Sequence, residues 1–198
     1  MELVLASHNL HKIREFREML KPLKNIDVLS LIDFPEYKLP EETGSTFVEN
    51  ALLKAEHAAK ELNKWVIADD SGLVVPALEG RPGVYSKRYA GEDATCCENR
   101  VKLTKEMKDF TDLQRSAYFE CSLALVSPEG FIKTATGIVE GTIATAEKGS
   151  SGFGYDPLFV KNDYDKTFAE IDETTKNKIS HRRKAFEKLS GTLETLKG

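Results

Sequence analysis

The sequence of 198 residues lacks several features that define large classes of protein. It contains no apolar run near the roughly 20 residues that a helix needs to cross a bilayer. This absence argues against a membrane role. The first residues enter an apolar segment (residues 2–6) with no basic region and no cleavage site of a secretory signal. We therefore expect a cytoplasmic protein.

Cysteine is also scarce, and the chain has no excess of positive charge. The three cysteines, Cys96, Cys97 and Cys121, have no Cys-x-x-Cys metal spacing and cannot pair evenly, so we expect reduced thiols. Acidic residues outnumber basic ones by 32 to 28, for a formal net charge of −4. Binding to nucleic acid needs a basic face that displaces counterions, so this balance argues against it. Any phosphate chemistry must depend on local charges.

The most informative segment is residues 65–72, where four apolar residues lead directly into Asp69 and Asp70, followed by Ser71 and Gly72. The pattern predicts a buried strand that ends at the acids and places them at the rim of a sheet. Ligands of open α/β sheets bind beyond the carboxyl ends of strands, so the acids would meet a divalent cation and a phosphorylated substrate. The alternative is a solvated turn, since Asp-Asp-Ser-Gly is ordinary turn chemistry.

The spacing of apolar residues and the positions of turn-forming residues predict alternating strands and helices within one domain of residues 1–198. Thr46 and Glu49 have the spacing of a capping box, which predicts a helix beginning there. The predicted strands are residues 2–6, 26–29 and 65–68 and a hairpin of 117–125 with 131–139, and the predicted helices are residues 9–20, 46–63, 92–108 and 180–196. Residues 33–44 and 72–91 are expected to be loops.

Two loops could bind a phosphate or a metal ion. Residues 7–12 follow the first strand, and their hydroxyl, amide and lysine join the free N–H groups of a helix N-terminus, which suits a phosphate. A plain helix cap explains the same residues, and the glycines of a P-loop are absent. Glu41 and Glu42 offer carboxylates to a hard cation, although exposed acids are common in loops.

Two further segments lie near the carboxyl end. In residues 149–157, three glycines allow close backbone approach and two aromatic residues could stack on a base or pack in a core. Residues 180–183 could bind an anion at the start of the last helix. They belong to a basic run, residues 176–184, that a solvated helix face also explains. A nucleotide needs a phosphate cradle, a metal-holding acid pair and a base slot, and the chain offers a candidate for each.

Together these motifs resemble those of the Ham1-type inosine triphosphate pyrophosphatases, and the likeness spans nearly the whole chain. The matching motifs are Ser7-x-Asn9-x-x-Lys12, Glu41-Glu42-Thr43-Gly44, Phe47-x-Glu49-Asn50-Ala51, Ile67-Ala68-Asp69-Asp70-Ser71-Gly72-Leu73, Pro82-Gly83-Val84-Tyr85-Ser86 with Arg88-Tyr89, Gly91-Glu92-Asp93-Ala94-Thr95, Gly152-Phe153-Gly154-Tyr155-Asp156-Pro157 and Ser180-His181-Arg182. The first loop departs slightly, because His8 and His11 stand where relatives often have a glycine.

The resemblance implies an α/β fold in which an elongated, mixed, twisted sheet is flanked by helices, with two lobes around a central nucleotide cleft, and it implies a homodimer. It also implies hydrolysis of ITP, dITP and XTP to the monophosphate and pyrophosphate, with Mg²⁺ as cofactor. Asp70 would accept a proton from the attacking water. Glu41, Asp70 and Asp69 would hold or support the metal. The implied substrate-binding residues are Ser7, His8, Asn9, Leu10, His11, Lys12, Ser71, Phe153, Gly154, Tyr155, Asp156, Lys176, His181 and Arg182.

Within that site, Phe153 would stack on the purine, and His181 and Arg182 would be candidate donors to its 6-keto oxygen. Two alternatives stay open. A pyrophosphatase of the Maf type would act on pyrimidine or modified nucleotides and would use a metal ion in the same way. A non-catalytic regulator would bind the triphosphate without cleaving it, although the paired acids and the lysine argue against this.

Overall fold

The computed structural model describes residues 1–196 as a mixed α/β protein. The strands are β1 (Glu2–Leu5), β2 (Asp27–Ser30), β3 (Trp65–Val74), β4 (Ser116–Val126), β5 (Ile132–Ile143) and β6 (Phe159–Lys161). The helices are α1 (Leu10–Leu20), α2 (Phe47–Leu62), α3 (Cys96–Glu106), α4 (Glu173–Ile179) and α5 (His181–Thr195). Across residues 1–196, no helix combines the length and apolarity that a membrane span requires.

The six strands form one sheet in the order β2-β1-β3-β4-β5-β6. Strand β1 pairs in parallel with β2, from Glu2 opposite Asp27 to Leu5 opposite Ser30, and in parallel with β3. Strands β5 and β6 are antiparallel. The sheet is therefore mixed, which confirms the predicted fold class. Strands β4 and β5 are neighbours joined by a turn at residues 127–131, which confirms the predicted hairpin.

The chain forms two compact units, each built from separate segments. The first unit contains Met1–Asp70, Cys121–Gly137 and the segment that begins at Arg182. The second unit contains Ser71–Glu120 and Ile138–His181.

In the first unit, helices pack on both faces of the strands. Leu5 of β1 and Ile67 of β3 pack with Phe16 of α1 and Phe186 of α5. The intervening residues of the same strands, such as Val66, pack with the alanines of α2. Side chains alternate between the two faces of a strand, so each strand supplies both layers.

The second unit has a core rich in aromatic residues. Phe119, Phe159 and Phe168 are buried, and their ring centroids lie 4.7 to 6.0 Å apart. Such tilted and stacked ring pairs contribute about 0.5–1.5 kcal/mol each beyond the apolar area that they bury. Tyr155 belongs to the same core and donates a hydrogen bond from its hydroxyl to the carbonyl oxygen of Ser86, at 2.9 Å.

The structure corrects the predicted end of β3. The strand does not stop at Ala68, since it continues through both acids to Val74. The strand continues because Leu73 is fully buried in the core of the second unit. Asp69 and Asp70 therefore lie inside a strand, and the solvated turn is wrong as an explanation. They lie beyond the carboxyl end of β1, whose last residue, Leu5, pairs with Ile67.

Other differences are smaller. Helix α3 begins at Cys96, later than predicted, because Thr95 caps it and Glu98 completes a capping box. Helix α4 and strand β6 were not predicted. The three cysteines are free thiols, as expected; two are exposed and Cys121 is buried.

Candidate active site

Asp69 is a buried carboxylate held by two cations of the first unit. Its Oδ2 atom lies 2.9 Å from Lys12 Nζ and 3.3 Å from Arg182 Nη2. Burial acts to raise the pKa of Asp69, but the charges of Lys12, Arg182 and Lys54 outweigh it and leave the pKa lowered. Asp69 is thus an anion whose stability depends on its partners.

Arg182, in the first turn of α5, is 1% exposed. Its guanidinium bonds to Asp69 and also pairs with Glu15 of α1, and it lies 5.9 Å from the centre of the Phe16 ring. Burial opposes the charge, but Glu15 and Asp69 raise the pKa of Arg182 above its ordinary value. These contacts favour a supporting role for Arg182 over direct recognition of a base.

Asp70 contacts different residues, which lie on α2, although the charge of Lys12 on α1 also acts on it. Its Oδ2 accepts a hydrogen bond from Asn50 Nδ2 at 3.1 Å, and its Oδ1 lies 3.6 Å from Lys54 Nζ. Burial raises the pKa of Asp70; Lys54 lowers it, Glu42 raises it, and the net shift is upward. Adjacent residues of one strand therefore have opposite pKa shifts.

Lys54 and Glu42 form the next part of this site. Sequence reasoning offered Glu42 only as a carboxylate for a cation, and it assigned no role to Lys54. Lys54 Nζ bonds to Glu42 Oε1 at 2.6 Å and to the carbonyl oxygen of Asp69 at 2.8 Å. Burial opposes its charge, but Asp70, Glu42 and Asp69 raise the pKa of Lys54, which stays cationic. The available signal was position, because Lys54 falls on the buried face of α2 with Ala51 and Ala58.

The two acids face opposite sides of the sheet. Asp69 follows Ile67 onto the side covered by α1 and α5, whereas Asp70 follows Val66 and Ala68 onto the side covered by α2. Within residues 1–196, no three His, Cys, Asp or Glu side chains are grouped to hold a metal ion, and Glu41 is exposed. The two acids therefore have separate surroundings, although they are adjacent in the strand.

The predicted phosphate loop forms the N-terminal cap of α1. The Asn9 side chain accepts hydrogen bonds from the N–H groups of His11 and Lys12, at 3.0 and 3.3 Å, and Ser7 Oγ accepts one from Asn9. The cap therefore engages several of the donors that were expected to meet a phosphate. His8, Leu10 and His11 are exposed, while the Lys12 side chain is 16% exposed.

In the second unit, the glycine-rich segment is organised by Asp156. Its Oδ2 accepts hydrogen bonds from the Phe153 N–H at 2.8 Å and from Lys176 Nζ at 2.5 Å. Lys176 Nζ also lies 5.0 Å from the centre of the half-buried Phe153 ring. Gly152 has a φ of +76°, and a Cβ there would lie 2.1 Å from Asp156 Oδ2, so the turn requires glycine.

Other predicted site residues of the second unit pack against, or form hydrogen bonds with, the protein itself. His181 stacks on Phe119, with ring centroids 4.8 Å apart and planes at 13°. The carbonyl oxygen of Gly154 accepts a hydrogen bond from Arg100, and Ser71 is half-buried in β3. The basic run is not a uniform solvated face, because Lys176 and His181 are buried, as is Arg182 of the first unit.

A mixed sheet with acids beyond the carboxyl end of a parallel strand, and with lysines beside them, is typical of α/β proteins that bind phosphorylated ligands. The particular family follows from comparison with known proteins. The model of the Ham1 family matches residues 3–192, and the chain belongs to this family. The resemblance found in the sequence is thereby confirmed.

The chain is similar over its full length to curated relatives. It is 61% identical over 198 residues to a dITP/XTP pyrophosphatase of Protochlamydia amoebophila, with 100% of each chain covered. It is 54% identical over 197 residues to a dITP/XTP pyrophosphatase of Chlamydia caviae, with 99% of this chain and 96% of that one covered.

Solved structures agree with the fold. The Ham1 protein of Staphylococcus aureus is 45% identical and superposes with a TM-score of 0.87, covering 98% of each chain. A HAM1 protein from Coxiella burnetii is 43% identical with a TM-score of 0.90, covering 99% of this chain and 100% of that one. The mixed α/β architecture is therefore shared with proteins of the family.

Proposed function

We propose that this protein is an enzyme that hydrolyses the non-standard purine nucleoside triphosphates ITP, dITP and XTP to the monophosphate and pyrophosphate. The observation that carries the proposal is the buried Asp70 carboxylate, 3.6 Å from Lys54, in a chain 61% identical to a dITP/XTP pyrophosphatase. The reaction would remove such nucleotides from the nucleotide pool.

Asp70 is the proton acceptor for the attacking water. Burial raises its pKa, so the carboxylate is a stronger base than an exposed aspartate. Lys54 acts in the opposite direction and favours the ionised form that can take a proton. The hydrogen bond from Asn50 also favours ionisation.

Lys12 contacts the triphosphate. A lysine is a mobile point charge suited to phosphate oxygens, and negative charge grows on the departing pyrophosphate as the phosphoanhydride bond breaks. Asp69, at 2.9 Å, holds the Lys12 ammonium group, and Arg182 holds Asp69. Asp69 and Arg182 therefore position the lysine.

A divalent metal, which we propose is Mg²⁺, fits the donor set of Asp70. Its Oδ1 is 3.6 Å from Lys54 Nζ, beyond hydrogen-bond distance, so this hard oxygen keeps lone pairs for a cation. Asp70 and Glu41 would hold the ion, and substrate phosphates and water would complete its coordination. When bound, the metal supplies positive charge to the non-bridging phosphate oxygens.

The remaining assignments are also proposals. We expect Phe153 to stack on the purine and the homodimer to be the assembly present in the cytoplasm, with no role for nucleic acid. The other residues proposed to bind the substrate are Ser7, His8, Asn9, Leu10, His11, Ser71, Gly154, Tyr155, Asp156, Lys176 and His181.

Pyrophosphate release from a nucleotide panel tests the proposal. With Mg²⁺, release from ITP, dITP and XTP should greatly exceed release from ATP, GTP and CTP. Excess chelator should abolish release, and added Mg²⁺ should restore it. Equal release from ATP and CTP would contradict the substrate class. Full activity in chelator would contradict the metal requirement alone.

A further inference from the structure

Asn50 is a fully buried polar residue of α2, and the mechanism above gives it no part beyond favouring the ionised form of Asp70. Its side chain lies between two groups of the first unit. Asn50 Oδ1 accepts a hydrogen bond from the Gly44 N–H at 2.8 Å, and Asn50 Nδ2 donates one to Asp70 Oδ2 at 3.1 Å. The amide therefore connects the loop before α2 to the proposed proton acceptor.

The orientation of this amide follows from chemistry. A backbone N–H can only donate, so the group that faces Gly44 must be the carbonyl oxygen of Asn50. The NH₂ group must then face Asp70, whose ionised carboxylate can only accept. An aspartate at position 50 could bond to Gly44 but could not donate to Asp70.

Close packing at Gly44 maintains the same geometry. A Cβ at Gly44 would lie 2.7 Å from Asn50 Oδ1 and 2.7 Å from Glu49 Cβ, so a side chain there would displace the amide or the loop. The loop also carries Glu42, which bonds to Lys54 at 2.6 Å. Asn50 and Lys54, the two α2 side chains directed at Asp70, therefore each also hold the loop before α2.

We propose that Asn50 is a positioning residue, which orients the Asp70 carboxylate by engaging Oδ2 and leaving Oδ1 for the reaction. This inference rests on the proposed role of Asp70. The hydrogen bond fixes the rotation of the carboxylate about its own axis, which a single ion pair at 3.6 Å cannot do. Partners of this kind typically affect activity by about 10–100-fold when they are removed.

The first experiment replaces Asn50 with alanine and measures steady-state pyrophosphate release from dITP. We expect kcat to fall about 10–100-fold, with KM changed less than about threefold. The matched control is Asn99→Ala in the second unit. Asn99 is also a buried helical amide, and it bridges the Ala90 N–H and the Lys87 carbonyl at 2.7 and 2.8 Å without touching Asp70. A fall in kcat no larger than that of the control would overturn the proposal.

A double-mutant cycle separates this proposal from the function on which it rests. If Asn50 acts through Asp70, Asn50→Ala should lower kcat no further in a protein that already carries Asp70→Asn. The same fold loss in both backgrounds would mean that Asn50 acts independently, and the positioning role would be wrong. Wild-type activity in Asp70→Asn alone would instead overturn the proposed role of Asp70.

The exchange variant gives a readout without catalysis. Asn50→Asp should lower the melting temperature of the metal-free protein, because two carboxylates then face each other. Adding Asp70→Asn should restore the melting temperature, since the amide at position 70 donates back to position 50, while kcat stays as low as in Asp70→Asn. If the exchange restores no stability, the two side chains are not coupled and the inference fails. The exchange experiment also tests the positioning role if Asn50→Ala does not fold.

Discussion

Asp69 and Asp70 are consecutive residues of one strand, yet they lie in two different surroundings. Asp69 faces α1 and α5, where Lys12 and Arg182 hold it as an anion and lower its pKa. Asp70 faces α2, where burial outweighs the attraction of Lys54 and the pKa rises. The difference shows that the face of the strand, not the residue type, decides the direction of each pKa shift, and the proposed division of roles follows from it.

This division has a physical reason. A carboxylate that holds two cations is well stabilised as an anion and is a poor proton acceptor. A carboxylate with a raised pKa is a better base, and an oxygen that accepts no hydrogen bond stays available to a metal ion. Asp69 is therefore suited to positioning, and Asp70 is suited to catalysis.

Asp69→Asn should cause the largest change, a loss of stability. The substitution leaves the buried guanidinium of Arg182 and the ammonium of Lys12 without their shared anion, and breaking a buried pair costs about 3–5 kcal/mol. Urea denaturation measures the loss. The control is Asp163→Asn, because Asp163 is exposed and lies 3.9 Å from Lys161, a surface pair worth at most about 1 kcal/mol. Equal losses in both variants would contradict the comparison.

Asp70→Asn should instead affect turnover. The amide cannot accept a proton and is a poorer ligand for a hard cation, so kcat should fall by about 100-fold or more. Its stability should equal or exceed that of the wild type, because a neutral amide does not suffer the desolvation that raises the pKa of Asp70. Pyrophosphate release and urea denaturation test both parts. Near-normal turnover would remove Asp70 from the catalytic role.

The parts of this comparison that could be predicted from the sequence are local. The starts of α1 and α2 were predicted to within one residue, because Asn9, Thr46 and Glu49 form caps from neighbouring side chains. The acid pair could be singled out because an apolar run leads into it. The end of β3 could not, since the strand continues on the packing of Leu73 in a distant core.

The family resemblance implied Asp70 as the proton acceptor and a supporting or metal-linked place for Asp69, but the residues alone gave no physical reason for this division. It depends on which helix covers each face of β3, and that is tertiary packing. Arg182 pairs with Glu15, which is 167 positions away in the chain, so no spacing indicates that the guanidinium is satisfied. Lys54 was detectable only as a polar residue on the otherwise apolar face of α2, and Asn50 stood in a matching motif that assigned it no role.

Lys12→Met removes the lysine charge and keeps Asp69, the carboxylate that holds it. The charge is expected to act on the outer phosphates, so KM for ITP should rise about tenfold, equivalent to ~1.4 kcal/mol, while the affinity for IMP changes little. Kinetics with ITP and calorimetry with IMP provide the measurement. The control is Lys24→Met, an exposed lysine after α1, which should change neither value. Equal losses for ITP and IMP would place Lys12 away from the outer phosphates.

The smallest expected effect is a difference in pH dependence between the two acids. Asp70 has a folded pKa above the ordinary 3.8, so its ionisation costs stability as pH rises through that raised value. Asp69 has a folded pKa below 3.8, so its stabilising effect is complete above the unfolded pKa and is lost as pH falls further.

On acidification, the stability advantage of Asp70→Asn over the wild type should therefore disappear first, at pH values above about 3.8. The deficit of Asp69→Asn should begin to shrink only below about 3.8, as the wild type loses its own ion pairs. Each single proton changes stability by at most about 1.4 kcal/mol per pH unit. Urea denaturation of the three proteins between pH 7 and pH 3 measures both windows. If the two differences shrink over the same pH range, the acids titrate in a common environment, and the contrast between the two faces of β3 is wrong.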